Sequence, residues 1–85
     1  MNATTKELYR LTTSVEWARA RVKENARTAR YWARNARLDL KRGDREEAFR
    51  SLLIAFSDRA IARSWRAEVR RLEALGMRAL RSRRR

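Results

Sequence analysis

Apolar residues stand at Leu8, Leu11, Val15, Ala18, Val22, Ala26, Ala29, Ala33, Ala36 and Leu40, always three or four positions apart. Such spacing keeps them on one face of a chain turning at ~3.6 residues per turn. It predicts one helix, capped by Thr4 or Thr5 and running to about Arg42. Thr12-Thr13-Ser14 is its weak point, since Thr13 followed by Glu16 makes a capping-box pattern at which the helix can restart.

Gly43-Asp44 is the clear punctuation. Glycine suits the left-handed position after a helix, and Asp44 with Glu47 three residues on reads as the cap of the next one. Lys41 and Arg42 close the first helix while Glu46 and Glu47 open the second, as the two ends of the macrodipole prefer. The second helix is predicted from Arg45 to about Leu75, with Gly76 as its stop. Its apolar residues divide between two sides: Ala48, Phe49, Leu52, Leu53, Phe56 and Ala60 on one, Ile54, Ile61, Trp65, Val69 and Leu72 roughly opposite. Either the helix breaks near Ser57-Asp58, or it meets one neighbour early and another late.

Both explanations ask for more than two-helix packing. The expected fold is therefore all-α, an antiparallel helical hairpin of two long helices, completed to a bundle by self-association as a homodimer. Residues 1–76 form the single helical domain and residues 77–85 a basic C-terminal extension. No proline and two glycines among helix formers agree with that class.

Charge adds the functional dimension. The formal net charge is +13, from 23 basic and 10 acidic residues. Such an excess opposes folding by self-repulsion, and a polyanion or acidic partner relieves it. Along the first helix Arg19, Lys23, Arg27, Arg30, Arg34, Arg37 and Lys41 form one stripe, and between Arg19 and Arg37 the only acid is Glu24. The second helix repeats the pattern with Arg59, Arg63, Arg66 and Arg70, around the single acid Glu68. Helical ion pairs need an opposite charge three or four residues away, so these stripes are not neutralised from within. With Arg81, Arg83, Arg84 and Arg85 of the tail, they are the candidate nucleic-acid-binding residues.

Arginine's planar fork suits bidentate contact with phosphate, which makes DNA or RNA the leading partner and backbone contact the mode. An acidic protein, on which the hairpin docks as an adaptor or inhibitor, is the alternative; an anionic membrane surface ranks behind both, because alanine offers little to insert. Trp17, Tyr31 and Trp32 lie off the main apolar stripe and read as gap-fillers beside the alanines, with base stacking as the other use.

Catalysis is not expected. Cysteine and histidine are absent, which removes thiolate ligands, imidazole ligands and the commonest general base, so neither a metal nor a cofactor is predicted. Residues Met1 to Thr5 lack the basic start and apolar stretch of a leader, and no run approaches the ~18 apolar residues of a membrane span. The expectation is a cytoplasmic protein.

Overall fold

The computed structural model describes residues 5–84, with side chains through Ser82. Thr4, one of the two expected caps, the whole of Arg85 and the side chains of Arg83 and Arg84 lie outside the described residues. Two helices account for the rest: α1 (Thr5–Lys41) and α2 (Arg45–Arg84), packed against each other as an antiparallel hairpin.

The turn forms as its residues dictate. Gly43 adopts φ +81°, the left-handed conformation that costs a side-chain-bearing residue most. Its N–H donates to the Leu40 carbonyl at 3.0 Å and the Asp44 N–H to the Asp39 carbonyl at 2.9 Å, the paired bonds of a Schellman ending. Asp44 then starts α2, its Oδ1 accepting from the Glu47 N–H at 3.2 Å. Only this half of the capping box is made. The Asp44 N–H is already committed to Asp39, and the Glu47 carboxylate turns instead to Arg50 at 2.9 Å.

Between the helices runs a seam of strict three-four alternation. On α1 it comprises Leu8, Leu11, Val15, Ala18, Val22, Asn25, Ala29, Trp32, Ala36 and Asp39; on α2, Ala48, Ser51, Ala55, Asp58, Ala62, Trp65, Val69, Leu72, Gly76 and Ala79. Every one of these is buried or half-buried. The fully buried members are small: Ala18, Ala29, Ala36, Ala48, Ala55 and Ala62, with Ser51. A seven-residue apolar repeat held over this length is the geometry of a coiled coil, whose slight under-winding keeps the same heptad positions facing the partner.

That repeat corrects the expected faces. Ala26 and Ala33 flank the seam half-buried and Leu40 is exposed, while Asn25, Trp32 and Asp39 take the inward positions. Three of the polar members are bonded: Asn25 Nδ2 donates to the Arg21 carbonyl at 2.8 Å and Ser51 Oγ to Asp39 Oδ2 at 3.3 Å. On α2 the seam passes between the two expected apolar clusters, so Phe49, Leu52, Leu53, Phe56, Ile54 and Ile61 all remain exposed.

Neither expected break occurs. Thr12 and Thr13 donate back to the carbonyls of Leu8 and Tyr9 at 2.9 and 3.0 Å, which lets α1 run through. α2 continues past Ser57-Asp58, where Asp58 turns into the seam rather than capping a new helix, its Oδ2 enclosed without a hydrogen-bond partner. Gly76 does not stop α2 either; Gly43 is the only glycine with positive φ, and Gly76 shares a concavity with Val15, Leu8 and Leu80. The hairpin measures 64 × 14 × 12 Å with a Cα radius of gyration of 18.9 Å. A compact chain of this length has about 12 Å.

Candidate nucleic-acid interface

Antiparallel pairing decides which of the cationic stripes can act together. Each helix has two flanks beside its seam, and a hairpin sets like flanks of the two helices alongside one another. Arg19, Lys23 and Arg30 of α1 fall on one flank, and Arg59, Arg63, Arg66 and Arg70 of α2 lie on the flank that joins it. They therefore meet over a common floor.

The floor has two adjoining stretches. Ala26, Ala29 and Ala62 underlie an open cleft of about 330 Å³ walled by Arg30, Arg59, Arg63 and Arg66. Val22 and Val69 underlie the next, about 370 Å³, walled by Arg19, Lys23, Arg66 and Arg70. Arg66 belongs to both, so the surface is continuous, and no acid lines either stretch. Small floor residues are what make it concave: above Ala26, Ala29 and Ala62, and above the short Val22 and Val69, the long cationic stems rise over the helix junction and carry their heads at its rim.

From Arg19 to Arg30 the row is about 17 Å long at ~1.5 Å per residue. Seven guanidinium and ammonium groups over that length form a strongly positive channel in which planar forks face an incoming ligand from both sides. Among the described residues the ion pairs are Arg19–Glu73 at 3.5 Å, Arg21–Glu24 at 3.0 Å, Arg50–Glu47 at 2.9 Å and Arg71–Glu68. Arg19 is thus the one cleft cation with a carboxylate in reach, and that pair is exposed.

The remaining candidates divide. Arg37 lies on the cleft's flank but nearer the turn, whereas Arg27, Arg34 and Lys41, seven residues apart, occupy the side of α1 away from α2. Arg81 is exposed at the open end of the hairpin. The stripe read along α1 is therefore two rows, of which one faces the cleft.

The aromatics stand elsewhere than base stacking in this cleft would need. Trp17 and Trp65 meet edge to face, ring centroids 4.9 Å apart, on the opposite flank, where Arg21 lies 4.9 Å over the Trp17 ring. Tyr31 and Trp32 make a similar contact at 5.3 Å. Trp17 remains 52% exposed and Tyr31 56%, so they shield the alanine seam from the side rather than fill it. The aromatic ring beside the cleft is Phe56, 6.0 Å from the Arg59 guanidinium. The sequence offered the signal for it, a Phe-Arg pair three residues apart, but no reason to prefer it over the tryptophans.

On that opposite flank Arg71 grips Glu68, donating from Nε to Oε2 at 2.9 Å and from Nη2 to Oε1. These bonds hold the Glu68 carboxyl below its ordinary pKa and the Arg71 guanidinium above its own. The one acid within the second stripe is thereby turned away from the cleft.

Among the described residues no cluster of acids suits a metal ion, and no helix is long and apolar enough to cross a membrane. No protein-family model, curated protein or solved structure matches the chain.

Proposed function

We propose that this protein binds nucleic acid by its phosphate backbone, DNA or RNA, along the cleft between α1 and α2. The observation that carries the reading is the acid-free channel in which Arg30, Arg59, Arg63 and Arg66, from two helices, surround an alanine floor. A lone charged stripe is satisfied by water. Two stripes brought face to face raise one another's potential, and the repulsion between them is relieved when a polyanion lies between.

Contact with about six phosphates predicts that the log of affinity falls with log salt at a slope near −5 for duplex DNA, and somewhat less steeply for single strands. Backbone contact carries no base code, so affinity should vary little with sequence. The test is a salt titration against generic duplex DNA, single-stranded DNA and RNA, with the wild-type chain and an Arg30→Gln/Arg63→Gln/Arg66→Gln variant. Steep salt dependence that flattens in the variant supports the proposal. Absence of nucleic-acid binding at low salt, with tight salt-resistant capture of one acidic protein, would replace it by the adaptor reading, because apolar burial is not screened.

A further inference from the structure

On α2 the residues Glu46, Phe49, Leu52, Leu53, Phe56 and Arg59 read with the same spacing from either end. Phe49 and Phe56 are two turns apart and stand on one line of the helix, with Glu46 and Leu53 about 50° to one side and Leu52 and Arg59 about 50° to the other. This stripe faces outward: Phe49 is 62% exposed and Phe56 59%, while Ala48, Ser51 and Ala55 beside them are buried in the seam. Packing between α1 and α2 leaves Phe49, Leu53 and Phe56 each at least half exposed.

We propose that a second copy of the chain covers this stripe, α2 against α2, antiparallel, about a two-fold axis passing between Leu52 and Leu53. Such an axis reverses the direction of the helix and sets each side of the stripe against the same side of the second copy. Phe49 then faces Phe56 of the second copy, a contact that occurs twice, while Leu52 meets Leu52 and Leu53 meets Leu53 beside the axis. A self-complementary patch of this kind is what an isologous interface requires.

Charge and area agree with that occupant. Residues 38–58 carry five acids (Asp39, Asp44, Glu46, Glu47, Asp58) against four bases (Lys41, Arg42, Arg45, Arg50), a net −1 that leaves +14 on the rest of the chain. The turn end is thus the one part of the hairpin where two copies meet without strong repulsion, and the antiparallel arrangement sends the cationic shafts away from each other. The chain exposes 7064 Å². A compact monomer of its mass exposes about 5,300 Å², so the excess is about twice the ~800 Å² that each partner contributes to a stable interface. The result is a rod roughly 100 Å long, helices overlapping near its middle, with the Arg66 cleft of each copy open on its own arm. The apolar contacts of the interface, Phe49, Leu52, Leu53 and Phe56, are none of the residues that carry the nucleic-acid reading, so it stands or falls without that reading.

The test is the mass in solution of the full chain at about 100 µM, a concentration that populates a dimer even when Kd is tens of micromolar. Twice the 10.2 kDa chain mass is expected, unchanged when salt is raised, with a longest dimension near 100 Å by small-angle scattering. Leu53→Glu should give a monomer of unchanged helicity by circular dichroism, since Leu53 lies outside the seam. Phe56→Glu should likewise give a monomer, since Phe56 also lies outside the seam. A wild-type monomer, a dimer indifferent to Leu53→Glu and Phe56→Glu, or a dimer no longer than one hairpin would each overturn the interface.

Discussion

Ser51 Oγ donates to Asp39 Oδ2 at 3.3 Å, joining the two helices twelve residues apart in sequence, just beyond the turn. A carboxylate in a half-buried seam position is costly unless bonded, so this contact ties the register of the hairpin to one pairing. Ser51→Ala should cost about 1 kcal/mol, lowering the melting temperature by roughly 4–8 °C for a chain of this size. Thermal unfolding followed at 222 nm reads it, and an unchanged melt would mean that the bond does not contribute.

The two glycines should respond to alanine with opposite signs. Gly43 holds φ +81°, where a side chain costs about 1–2 kcal/mol, so Gly43→Ala should destabilise the hairpin. Gly76 is helical and an added Cβ meets nothing within 4 Å, so Gly76→Ala should stabilise it by about 0.5–1 kcal/mol. Paired denaturant titrations of both variants separate the signs.

Replacing a seam alanine by a larger residue should be worse than leaving a gap. Ala29 and Ala55 are each 2% exposed. Ala29→Leu or Ala55→Leu should cost about 1–3 kcal/mol by forcing the helices apart. The exposed Ala67, carrying the same substitution, should change stability by less than about 0.5 kcal/mol. Equal effects at all three positions would contradict the seam.

Within the cationic surface, position should matter more than charge. Arg63→Gln or Arg66→Gln, in the cleft wall, should each reduce the salt slope of nucleic-acid binding by about 0.9. Arg27→Gln and Arg34→Gln, on the far side of α1, should change it much less. Identical losses at all four sites would point to unspecific attraction by net charge alone.

The Glu68 carboxyl titrates below its ordinary value of 4.5, chiefly because Arg71 hydrogen-bonds its ionised form. Because the folded state holds this acid more strongly ionised than the unfolded state does, the contribution is fully present above pH ~4.5 and is lost as pH falls through the lowered value. Carbon-13 carboxyl shifts should show Glu68 titrating below the ordinary glutamate value, and Arg71→Gln should return it toward that value.

How far these features could be read along the chain differs from one to the next. The turn was legible to the residue, since Gly43 and Asp44 act through their own backbone and neighbours. The α1 seam was legible to Val22 and then slipped: the eye follows Ala26, Ala33 and Leu40, whereas the heptad places Asn25, Trp32 and Asp39 inward. A ranking by hydrophobicity has no means to know that Asn25 finds a carbonyl at Arg21 or that Asp39 finds Ser51. The cleft was half legible. Its arginines were all named, but so were Arg27, Arg34 and Lys41, which face elsewhere.

Helix content, the place of the turn and the surplus of cations are local matters, set by propensity, capping and composition, and they are written in the chain residue by residue. Which flank of α1 meets which flank of α2 is not local. It depends on supercoiling that carries a seven-residue repeat past polar positions, and on small side chains drawing the two helices together. That pairing gathers Arg19, Lys23 and Arg30 with Arg59, Arg63, Arg66 and Arg70, and it leaves Phe49, Leu52, Leu53 and Phe56 facing outward.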